Sequence, residues 1–191
     1  MRPTRFAATL AATAILLSVV IATAGATTLI RQGLERLTAD NETVLHGRVT
    51  GIHSYWNADH SFILTDVSLQ TIGTLKGAIT ADEVVLTLMG GTVGDLTTLI
   101  IGGPELVPGS EYLIFVSRDD LPSAPGRLTV RDLMQGVFDV VDTPMGRRAF
   151  SQAIDHPLVA DEQGLVDPPG GVEGMPVDEL VREVKRISGG R

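Results

Sequence analysis

Residues 44–72 read VLHGRVTGIHSYWNADHSFILTDVSLQTI, and the fold turns on how that stretch is parsed. Val44 to Ser54 and Phe62 to Ile72 form the two arms of a long hairpin around Trp56-Asn57-Ala58-Asp59. In the second arm Ile63, Val67 and Leu69 point one way, while Asp66, Ser68 and Gln70 point the other. That period of two marks a half-buried strand. The first arm places Leu45, Gly47 and Val49 inward and His46, Arg48 and Thr50 outward. Gly51 beside Ile52 predicts a bulge, the device that curls a strand.

Further strands follow at short spacing. Glu83 to Met89 is the third and ends at Gly90-Gly91; Thr97 to Ile101 is a short fourth, stopped by Gly102-Gly103-Pro104. After the turn Pro108-Gly109-Ser110, Tyr112 to Val116 is apolar on both faces and is expected to be central. Arg127 to Arg131 and Gly136 to Val141 supply the last two. No crossover-length helix separates these strands, so a small antiparallel barrel or sandwich is expected rather than a parallel α/β sheet. The expected organisation is a short helix at 27–38, a β-barrel domain at 39–150, a Pro/Gly-rich linker at 151–176 and an amphipathic helix at 177–188. In the first helix Leu29, Ile30, Leu34 and Leu37 share a face. In the last, Val177, Leu180, Val181, Val184 and Ile187 form an apolar stripe, expected to pack back on the chain's own β domain.

The 191 residues include no cysteine and carry a formal net charge of −8. That balance argues against nucleic acid as the main partner, since phosphate contacts need clustered Lys and Arg. Residues 1–26 have the layout of a signal peptide: Arg2 and Arg5, an apolar run from Phe6 to Ile21, then Ala24-Gly25-Ala26. Cleavage would leave Thr27 first. The alternative is an uncleaved segment, the one route to a membrane that the sequence offers. The expected location is therefore outside the cytoplasm, periplasmic or extracellular, with core burial standing in for disulfides.

Several short motifs recur in a familiar order. They are Ala39-Asp40, Val44 to Val49, Leu75-Lys76-Gly77, a strand from Glu83, and Pro108-Gly109-Ser110-Glu111-Tyr112-Leu113-Ile114. Over roughly Leu37 to Val141 this order resembles the netrin-like module, which includes the N-terminal domain of tissue inhibitors of metalloproteinases. The resemblance implies an OB-type barrel. In that family an N-terminal cysteine chelates the target's zinc, and disulfides fix its geometry. This chain has no cysteine, so the resemblance brings a fold and no site residues.

Candidate chemistry is sparse. His46, His53 and His60 recur every seven residues. An odd interval puts His46 and His53 on opposite faces of a strand, whereas a turn centred near Trp56 would set His53 opposite His60 with Asp59 close by. Those three residues are weak metal candidates, and no metal or other cofactor is assigned. Gly90-Gly91-Thr92-Val93-Gly94 lacks the lysine of a phosphate loop and reads as a loop with unusual backbone angles. No Gly-x-Ser-x-Gly is present, His156 has no evident serine partner, and the carboxylates cannot be paired by sequence. Tyr55 and Trp56 at the hairpin tip are the candidate contact residues, since these side chains dominate binding hot spots. The reading is an exported, non-catalytic protein-interaction domain with an extracytoplasmic protein partner, in its narrowest form a protease inhibitor or accessory factor. Its rivals are a ligand- or glycan-binding module and a hydrolase with an unassigned carboxylate site.

Overall fold

Period-two alternation and three register slips shape the long hairpin. In the computed structural model, which describes residues 30–154 and 170–189, β1 (Thr43–Trp56) pairs antiparallel with β2 (Ile63–Lys76). The bulge expected near Gly51 is present: Val49 faces Leu69, Gly51 faces Ser68, and Thr50 is the extra residue. Two further slips, between Val44 and Leu45 and between His46 and Gly47, put the extra residue on β2. Each bulge bends and twists the ribbon. Close packing follows at Gly47, where an added Cβ would lie 2.7 Å from Leu69 Cγ.

The remaining strands are β3 (Glu83–Met89), β4 (Gly91–Val93), β5 (Leu96–Thr98), β6 (Glu111–Leu121), β7 (Ala124–Thr129), β8 (Val137–Thr143), β9 (Gly146–Ser151) and β10 (Met175–Pro176). Two helices, α1 (Leu34–Asp40) and α2 (Val177–Gly189), complete the described elements apart from short 3-10 turns. The main sheet runs β10-β9-β8-β6-β1-β2-β3, with β7 hydrogen-bonded to the far end of β6 and β4–β5 forming a separate ribbon. Every described pairing is antiparallel. The chain is thus mainly β with two helices, as the sequence predicts. Among the described residues no ladder closes the path into a barrel.

β6 is central and divides its side chains between two cores. Tyr112, Ile114 and Val116 enter the first, with Leu45, Val67 and Leu86 from the hairpin side. Leu113 and Phe115 enter the second, beneath α1 and α2. There Phe115 meets Phe138, ring centres 5.9 Å apart, and Leu180 and Val184 of α2 are fully buried. The C-terminal helix therefore packs back on its own domain, as its apolar stripe predicts.

Several boundaries differ from the sequence reading. The first helix begins only at Leu34, because Gly33 is its extended N-cap rather than an interior residue, and Ile30 is half exposed. It runs on to Asp40 because Lys76 Nζ donates to the carbonyls of Thr38 and Asn41 (both 2.5 Å) and of Ala39, capping its C-terminus. The expected strand Thr97–Ile101 is confined to Leu96–Thr98, and Gly136 belongs to a 3-10 turn, Leu133–Gly136. β4, β9 and β10 were not foreseen. The linker at 151–176 is shorter than expected: Ser151 ends β9, and Met175–Pro176 pairs with Ala149 and Arg148. Pro176 is tolerated there because β10 is an edge strand. The expected signal segment, the Thr27 end of the expected first helix and residues 155–169 of the expected linker lie outside the described residues.

Candidate functional site

The hairpin tip is held rather than free. Asn57 is buried; its Oδ1 accepts from the amides of Ser61 (2.9 Å) and Phe62 (3.0 Å), and its Nδ2 donates to Pro122 O across the β6–β7 turn. Adjacent in a strand, Tyr55 and Trp56 leave opposite faces. Tyr55 stacks on His53, and its hydroxyl donates to Asp66 Oδ1 (3.1 Å), which also accepts from Thr87 Oγ1. Burial, then the hydrogen bond and charge of Asp66, push the Tyr55 hydroxyl above its usual pKa. Trp56 instead stacks on His60, whose backbone takes a left-handed φ of 55°. The two rings are half-buried and engaged with different partners, so they do not form one patch.

The metal candidates are likewise separated. His53 faces Asp66 in the ladder, while His60 and Asp59 sit in the turn after Trp56, which itself pairs with Ile63. The expected apposition of His53 and His60 fails because the turn is centred beyond Asn57, not at Trp56. Asp59 instead accepts from Ser61 Oγ (2.8 Å). Among the described residues no group of three His, Asp or Glu is arranged to hold a metal ion. His46, read as outward, is buried: its Nε2 lies 2.6 Å from Glu111 Oε1. Arg48 and Arg147 also reach Glu111. Burial raises the Glu111 pKa, but His46 and Arg147 outweigh it and hold the carboxyl below its ordinary range.

A substantial concavity lies elsewhere. A groove of about 1110 Å³ opens between the distal half of the hairpin and the segment after β5. Ile52, Ser54, Thr65 and Val67 of the hairpin line it, with Leu106 and Tyr112 also contributing. Gly90 and Gly91 shape one wall with φ of +89° and +129°. A Cβ on Gly91 would sit 2.2 Å from Thr65 Oγ1, so only glycine lets the chain pass this close to the hairpin. The backbone then doubles through β4 and β5 and presents Leu99 and Ile101 to solvent, 82% and 87% exposed. Leu96, Met89 and Val107 are exposed nearby in sequence.

Polar groups gather at Asp139, another groove residue. Gln152 Nε2 donates to Asp139 Oδ1 (3.1 Å) and to Glu105 O (2.7 Å), while Gln152 Oε1 accepts from Glu105 N (3.0 Å). One glutamine thus ties two acidic residues to the same place. Burial pushes the Asp139 carboxyl above its usual pKa; the Gln152 hydrogen bond opposes this, and the charge of Glu105 adds to the rise.

Sequence reasoning missed the groove. Leu99-Ile100-Ile101 looked like strand interior, although an unalternated apolar triplet stopped by Gly-Gly-Pro also fits a presented loop. No family model matches this chain, and no curated protein matches it.

Proposed function

We propose that this chain is an exported, non-catalytic protein-interaction domain on a netrin-like, OB-type frame, and that it meets its partner through the groove and its Leu99–Ile101 rim. One observation carries the contact reading: two large aliphatic side chains, Leu99 and Ile101, stand more than four-fifths exposed on the lining of a groove of about 1110 Å³. Apolar surface concentrated at one place marks interaction sites, whereas scattered single residues do not. Support for the frame comes from the residues behind the resemblance. The end of α1 at Ala39-Asp40, Lys76 and Gly77 meet in space, and Gly77 at φ +93° clears Thr43, where a Cβ would approach Oγ1 to 2.5 Å. A protease inhibitor or accessory factor is the narrower version, with Leu99–Ile101 as the presented segment.

The test is site-specific photo-crosslinking in the native envelope or culture fluid. A crosslinker at position 99 or 101 should yield a discrete protein adduct. One at Ile72, exposed but outside the groove lining, should not. Equal labelling from both positions, or none from position 99 or 101, would remove the groove as the contact surface.

A further inference from the structure

We infer that the groove selects a partner segment carrying a lysine or arginine among apolar residues, the cation seated at Asp139 and Glu105. This deepens the contact reading and rests on it.

The argument is charge complementarity within an apolar surface. Asp139 and Glu105 line the groove that Ile52, Val67, Leu99 and Ile101 also line. Gln152 bonds the backbone of Glu105 through both ends of its amide and the Asp139 carboxylate through Nε2, which sets the two residues side by side. Among the described residues, neither carboxylate is bonded to a cation of the chain itself. The nearby arginines are committed elsewhere: Arg147 to Glu111 and Asp142, Arg148 to the carbonyls of Glu173 and Gly174, and Arg48 to Glu111 and Gly109 O. By contrast, Glu111, on the strand beside Asp139, receives His46 and both Arg48 and Arg147. Asp139, partly removed from water without a counter-charge, is costly to keep charged, and an incoming cation relieves that cost, with the exposed Glu105 adding its charge from the surface. An acidic segment would meet like charge and pay again for desolvation, so the same groups reject it. Apolar side chains of the partner would cover Leu99 and Ile101 while its cation reaches inward.

The probe is a displayed library of random heptapeptides, panned against the exported protein purified as the cell processes it. Retained peptides should be enriched in lysine or arginine flanked by apolar residues. A retained peptide should bind about tenfold more tightly than its Lys→Gln counterpart, a difference of about 1.4 kcal/mol. That preference should largely vanish in Asp139→Asn and shrink in Glu105→Gln. Neither change removes packing, and a melt of each variant verifies folding. Retention of uncharged or acidic peptides, or a lysine preference unchanged in both variants, would overturn the inference. In those cases binding that is lost in Leu99→Asp/Ile101→Asp would leave the contact reading standing. No peptide retained by the wild type would overturn the inference as well, with the crosslinking experiment still deciding the contact surface on its own.

Discussion

Two carboxylates on neighbouring strands behave in opposite ways, and the difference is measurable. Glu111 on β6 has a folded pKa held below its ordinary value, so its stabilisation is complete above the usual carboxylate range. It is lost as pH falls through the depressed folded value. Asp139 on β8 has a raised folded pKa, so its charged form costs stability above that value and the cost is relieved as pH falls through it. Thermal melts against pH should therefore show Glu111→Gln lowering Tm at neutral pH and Asp139→Asn holding or raising it, with both differences fading in acid. Shifts of the same sign would contradict these environments. Lys76→Met should cost on the order of 2 kcal/mol by urea melt, because a charged donor leaves the carbonyls that end α1. A cost within noise would mean water caps that helix equally well. Trp56 is half-buried against His60, so Trp56→Ala should cost roughly 1–3 kcal/mol, between the values for exposed and core sites.

Elements were legible where one physical signal dominated. β3 matches its expected bounds because Gly90 closes an unbroken strand pattern, and α2 is within a residue because Pro176, the first-turn acids and the apolar stripe agree. The bulge near Gly51 was readable for the same reason. What the sequence hid was decided at a distance. β9 reads Gly-Arg-Arg-Ala-Phe-Ser, with no alternation; pairing with β8 makes it a strand. His46 was assigned to the outer face, and nothing local announces that Glu111 and Arg147, both far along the chain, cover it there. The groove escaped notice because its walls come from separate elements and its apolar rim resembles a strand. Packing of α2 gives the element-scale prediction. Leu180→Ala should cost about 2–5 kcal/mol in a single cooperative urea transition, since Leu180 is fully buried. A near-zero cost would instead make α2 a detachable helix.

At the scale of the molecule, one antiparallel sheet separates two cores. The second is roofed by α1 and α2, while the distal hairpin, Gly90–Gly91 and the Leu99–Ile101 rim bound a groove on the rest of the body. Stability and contact are thereby assigned to different residues. The buried positions are expected to carry folding, and the exposed rim to accept changes without unfolding the chain. A net charge of −8 would also draw the cationic segment proposed above toward the chain at long range. The most direct measurement is the Kd of the crosslinked partner for the wild type, for Leu99→Asp/Ile101→Asp and for Trp56→Ala, each with its Tm. The account predicts at least about a thirtyfold loss of affinity for the rim variant, equal to about 2 kcal/mol, with Tm unchanged. It also predicts a lowered Tm but unaltered affinity for Trp56→Ala. Full affinity in the rim variant, with binding lost in Trp56→Ala, would contradict it and return the contact surface to the hairpin tip.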